Sequence, residues 1–177
     1  MSFISGQPKD ISEPRAVVDA IRARRGGTLL NLDCMLLHSP PLAAGWNGLL
    51  RAVRTELLVS LKLRELATCV VAVLNGADYE YHHHSPLFLK AGGTAAQLDA
   101  IGRIGATPIN AAVFDAADLA IVELAVEMTR NVHVSRETLL AVQAALPNDQ
   151  QVVEIVGTIA AYNMVSRFLV ALDIDSE

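Results

Sequence analysis

Cysteine is scarce in this chain. Cys34 and Cys69 stand thirty-five residues apart, each inside an apolar helical pattern, and neither belongs to a Cys-x-x-Cys or a Cys/His cluster. They read as buried thiols. A chain of 177 residues hides on the order of 70% of its unfolded surface, so it folds without a disulfide staple or a structural metal. Charge is scarce too, at 19% of residues against about 25% in an average soluble domain. The balance is negative, −5 with a sequence pI near 5.5, which argues against a protein that grips phosphate backbones, and no nucleic-acid partner is expected. Long hydrophobic runs are missing as well. Arg, Glu, Asp or His interrupts every stretch that approaches the roughly 18–20 apolar residues of a spanning helix, so no membrane partner is expected. Met1 to Arg15 carries Lys9, Asp10, Glu13 and two prolines where a signal peptide would place its apolar region, and the expected location is the cytoplasm. Neither Gly-x-Gly-x-x-Gly nor a phosphate-binding P-loop occurs, and Gly102-x-x-Gly105 alone carries no signal.

Apolar residues, by contrast, are plentiful: 52% of the chain, with a mean hydropathy of +0.36. With no membrane to cover the surplus, the expectation is a homo-oligomer that buries it between subunits. The periodicity is helical throughout and no alternating β-branched run is long enough for a strand, so the fold class is all-α. Pro14 opens a first helix that Gly26-Gly27 closes, a short one follows over Leu29–Leu37, and Pro40-Pro41 starts another through Trp46 toward Leu58. The most apolar segment, Lys62–Leu74, ends at Asn75-Gly76, and Asp78 caps a helix running from Tyr79 to Ala91. Thr94 caps a short helix. Gly102 to Asn110 is the best hinge candidate, and helices over Asp115–Thr129, Ser135–Leu146 and Asn148–Leu172 complete the chain.

Two anomalies point to chemistry. Glu80 and the run His82-His83-His84 sit at the start of one helix, where Glu80 reaches His83 at i+3 and His84 at i+4, so a carboxylate can orient an imidazole on the same face. The alternative is a first-turn acid favoured by the helix dipole, with His82 and His83 on a solvated face. Glu65 stands among Leu63, Leu66, Ala67, Val70 and Val71, where a carboxylate wants a partner. Either it is a rim acid paired with Arg64, Arg51 or Arg54, or it joins Cys69 and Ala72 on a face that the next helix crosses. An antiparallel pair about the Gly76-Ala77 turn sets Cys69 level with His84 and Glu65 about one turn further on. The seam then collects Glu65, Cys69, Glu80 and His84, with Glu65, Glu80 and His84 as acid/base equipment and Cys69, Tyr79, Tyr81 and His83 as candidate substrate-pocket residues. No metal and no cofactor is expected: Glu80-x-x-His83 is half of a di-iron carboxylate pattern whose other half the chain lacks.

Arg64-Glu65-Leu66-Ala67, then Asn75-Gly76-Ala77-Asp78-Tyr79-Glu80-Tyr81, His84 and Lys90-Ala91-Gly92-Gly93 resemble the core signature of the carboxymuconolactone decarboxylase and alkylhydroperoxidase D superfamily. The resemblance extends from about residue 29 to the C-terminal helix around Ala161–Leu169. It implies an N-terminal extension with a helix over 1–28, a helical domain over 29–177, and a homo-oligomer, a trimer or hexamer, with a dimer as the alternative. In the peroxidase branch a Cys-x-x-Cys precedes the histidine, and its two positions fall here on Ala77 and Glu80. Dithiol peroxidase chemistry therefore lacks its thiols. The decarboxylase branch implies a proton-transfer enzyme acting on a small carboxylated or lactone compound, with Glu65, Glu80 and His84 catalytic. The alternatives are a peroxidase that uses Cys69 and a non-catalytic oligomeric binding protein.

Overall fold

The computed structural model describes residues 3–177. Among these, regular structure is helical: α1 (Arg15–Arg25), α2 (Asn31–Leu36), α3 (Pro40–Thr55), α4 (Leu61–Asn75), α5 (Asp78–Lys90), α6 (Ala95–Gly102), a 3₁₀ turn (Ala111–Val113), α7 (Ala116–Asn131), α8 (Arg136–Ala145) and α9 (Asp149–Ala171). Two compact units form. One runs to Glu56 and takes back Ala171–Glu177, and the other is Leu57–Val170. Within the first unit α1 and α2 both pack on α3.

In the first unit α1 buries Val18 and Ile21 and stops at Gly26, whose φ of 80° suits a residue without a Cβ. The buried carboxylate of Asp33 organises the next turn. It accepts the Leu30 N–H at 2.9 Å and a two-pronged hydrogen bond from Arg25 at 3.0 and 3.1 Å, the fork geometry for which arginine is suited. Residues before α1 are tied down as well: the His38 ring donates to the Ser5 carbonyl through Nε2 at 2.8 Å and accepts from the Gln7 amide at 3.1 Å.

The second unit carries the candidate site. Its spine is α4, which packs against α5, α6 and α7 and is buried continuously from Glu65 to Ala72. Polar contacts fix both ends of this helix. At the start, Lys62 and Gln97 both donate to Asp118 Oδ2, at 2.7 and 2.8 Å, joining α4 to the beginnings of α6 and α7. At the finish, Asn75 donates to Asn163 and Ser166 of α9, and Asn163 in turn donates to Thr129 of α7 at 3.0 Å. A helix clamped at both ends holds its side chains in register with its neighbours, which a site made of a few groups requires.

Gly76, at φ 63°, ends α4 and turns the chain directly into α5. The N-cap of α5 is Ala77, not Asp78: no side chain caps the end, and Asp78 lies inside the first turn with Glu80, where a negative charge meets the positive end of the helix dipole. Beyond α5, a Cβ on Gly93 would lie 2.4 Å from the fully buried Phe88 ring. Gly93→Ala is accordingly expected to lower stability by about 1–3 kcal/mol, as overpacking against a ring with no room to move does. The urea midpoint reads this directly. α6 then opens on a reciprocal cap between Thr94 and Gln97. The longest helix, α9, is the one among the described residues that meets the length and composition of a membrane span, which the sequence did not lead one to expect, and 56% of that window is buried within the fold, the pattern of a core helix.

Candidate active site

The α4–α5 hairpin brings acid and base together in its interior. Glu65 on α4 and His84 on α5 are both buried, and Nδ1 of His84 lies 2.6 Å from Oε2 of Glu65. A carboxylate accepts only, so Nδ1 carries the hydrogen and donates it, which leaves Nε2 as the basic nitrogen of the ring. Glu65 is thus no rim acid, and its partner is neither Arg64 nor Arg51 nor Arg54. The imidazole is flanked on its other side by Tyr162 of α9, edge-to-face at 4.8 Å and 80°.

Glu80 does not pair with His84 as the i, i+4 spacing suggests. It is 1% exposed, and neither carboxyl oxygen has a hydrogen-bond partner among the described residues. Burial pushes its carboxyl well above the usual carboxylate range. The two acids therefore sit in opposed environments, one bonded to a ring nitrogen and the other bonded to nothing. Such divergence separates the acid from the base in a proton-transfer site.

Cys69 lies one turn beyond Glu65 on α4 with no exposed surface. Burial holds its thiol far above the ordinary value, and the charges of Glu65 and Glu80 add to the rise. Both carboxyls thus bear on the sulfur, while the direct bond forms between Glu65 and His84. Such a setting disfavours the thiolate, the form in which a cysteine acts as a nucleophile. Iodoacetamide at pH 8 is expected to leave Cys69 unmodified until the protein unfolds, and cumene hydroperoxide to leave no sulfenate there, both read by mass spectrometry. Rapid modification of the folded protein at Cys69 would restore the peroxidase reading.

The other expected residues divide by face. Tyr79 is buried and its ring lies tilted at 50° to that of His83, 4.6 Å away, while His82 is exposed and meets His83 edge-on at 5.6 Å. Tyr81 is half-buried, with its hydroxyl raised above the ordinary value by burial and by Cys69 and Asp99. Tyr162 is the neighbour that sequence reading misses; its only signal is an aromatic at core spacing in a helix far down the chain. No group of three or more His, Cys, Asp or Glu among the described residues is arranged to hold a metal ion.

Residues 40–123, from the start of α3 into α7, match the carboxymuconolactone decarboxylase family, a span that includes the whole α4–α5 hairpin. No curated protein matches the sequence. Solved structures share the fold along almost the whole chain. A peroxidase-related protein from Silicibacter sp. TM1040 aligns with a TM-score of 0.77 at 16% identity, covering 100% of this chain and 91% of its own. The debrominase Bmp8 in complex with 2,3,4-tribromopyrrole gives 0.78 at 17%, covering 100% and 93%. The alkylhydroperoxidase AhpD core protein from Ralstonia eutropha JMP134 gives 0.79 at 14%, covering 98% and 93%.

Proposed function

We propose that this chain, which matches the carboxymuconolactone decarboxylase family over residues 40–123, is an acid/base enzyme acting on a small carboxylated or lactone compound, with His84 as the group that moves the proton. One observation carries this reading: the buried 2.6 Å contact between Glu65 and His84. A carboxylate that accepts from Nδ1 fixes the tautomer, aims Nε2, and stabilises the imidazolium that forms when Nε2 takes a proton. Glu65 is a positioning residue, Glu80 supplies the second titratable group, and Cys69, Tyr79, Tyr81 and His83 are the candidates to shape the pocket. The chemistry needs no redox cysteine pair, in keeping with Ala77 and Glu80 at the positions where the peroxidase branch has cysteines. A structural neighbour that binds a brominated pyrrole supports a small-molecule ligand.

The test is turnover. The protein is incubated in D₂O with a panel of small lactones and β-keto acids, and accepted compounds are followed for deuterium at the acidic carbon and for decarboxylation. Exchange or turnover by the wild type and its loss in His84→Gln is the expected result. An unchanged rate in His84→Gln would remove His84 from its role.

A further inference from the structure

Glu80 is not explained by the Glu65–His84 pair. Its carboxyl is 1% exposed and both oxygens are inaccessible and unpartnered among the described residues. Leaving a buried polar group unpaired destabilises the fold, and does so more if the group is charged. A natural fold that keeps such a group usually has a use for it. The titratable groups that face it are Cys69 and, beyond it, Glu65 on α4, with His84 one turn along its own helix. None of these supplies a cation that would hold Glu80 as a carboxylate: the ring proton of His84 is committed to Glu65, and burial alone acts on the Glu80 carboxyl.

We propose that the Glu80 carboxyl donates its O–H to a carbonyl oxygen of the ligand, so that the site selects small compounds in which a carbonyl stands next to an acidic C–H. This rests on His84 as the proton-moving group. Nε2 of His84 takes the proton from carbon, the C–H electron pair becomes the new C=C bond, and the carbonyl π pair moves to oxygen, which takes the Glu80 proton. The products are a neutral enol, an imidazolium paired with the Glu65 carboxylate, and a Glu80 carboxylate. Reversal returns both protons, to the same carbon for exchange or to a conjugated one for isomerisation. A protonated carboxyl in a dry site that meets developing negative charge stabilises an enolate oxygen. A ligand with donors only, such as an ammonium, leaves the Glu80 O–H unused.

The experiment compares the wild type with Glu80→Gln, which keeps the shape and removes the titration. In the infrared difference spectrum at neutral pH, the wild type should show the C=O stretch of a protonated carboxyl that Glu80→Gln lacks. Addition of γ-butyrolactone or acetoacetate should shift that band to lower frequency. Denaturant titrations supply a readout independent of activity. A native carboxyl that stays protonated above its unfolded pKa binds more protons in the folded state, so stability is full below that value and falls as pH rises toward the folded one. Across that window the folding constant of the wild type should fall about tenfold per pH unit relative to Glu80→Gln. A missing Glu80 band, parallel stability curves, or a band that neither probe moves would overturn the proposal. Failure of the His84 reading shows separately, as deuterium exchange that survives His84→Gln while the Glu80 band still responds.

Discussion

Glu65→Ala is expected to lower stability by about 3–5 kcal/mol, the sum of a buried donor left without its acceptor and the cavity left by a large-to-small change in the core. The bond at 2.6 Å is made inside the hairpin, with both groups buried, so water cannot replace the lost carboxylate. The Nδ1–H of His84 is left without its acceptor, which accounts for about 1–3 kcal/mol. The remainder comes from the space vacated on the face that Glu65 shares with Cys69, a residue one turn on with no exposed surface. Glu65→Gln separates the two contributions. It fills the same volume and offers an amide oxygen to Nδ1–H, so its loss should stay near 1 kcal/mol, the usual net value of one hydrogen bond. Urea unfolding with an unchanged slope measures both variants. A loss below 1 kcal/mol for Glu65→Ala would mean that the pair does not hold the hairpin together.

How far the sequence discloses this arrangement depends on whether the signal is local. Helix ends marked by side-chain chemistry are legible: Gly26 and Gly76 in left-handed backbone, the Thr94–Gln97 cap, and the Asp115 and Ser135 caps all stand where the residue types put them. The end of α7 is not legible, because it turns on Val132 at φ 63° and 83% exposure, a conformation that a β-branched residue rarely adopts. Asp78 reads as a cap from its type alone, yet the turn from Gly76 is so short that helix geometry begins at Asp78 itself. The site shows the same division. Glu65 and His84 stand out because a carboxylate and an imidazole in apolar helices demand a partner. Which partner each takes is set by the packing of α5 on α4, and the local i, i+4 option with Glu80 competes for the same imidazole. The approach of Tyr162 to His84 depends on the docking of α9, which no pattern near residue 84 encodes. The polar clamp of Asn75, Asn163 and Ser166 is non-local in the same way.

Stability and catalysis separate most sharply at His84. His84→Gln is expected to reduce kcat/KM roughly 10²–10⁴-fold for an accepted substrate, the usual contribution of a positioned general base. That corresponds to about 2.7–5.4 kcal/mol of transition-state stabilisation. The same substitution should cost little in folding, because the glutamine amide can donate to Oε2 of Glu65 in place of Nδ1–H and so keep the buried carboxylate satisfied. What glutamine lacks is the nitrogen lone pair at Nε2 and the means to hold a proton there between steps. A variant that folds with nearly unchanged Tm and has lost its turnover therefore assigns the loss to proton transfer. His84→Ala would confound the two by stranding Glu65 as an unpaired buried carboxylate. If kcat/KM falls by less than tenfold in His84→Gln, the proton moves through another group, and Glu80 is then the acid whose replacement should produce the larger loss.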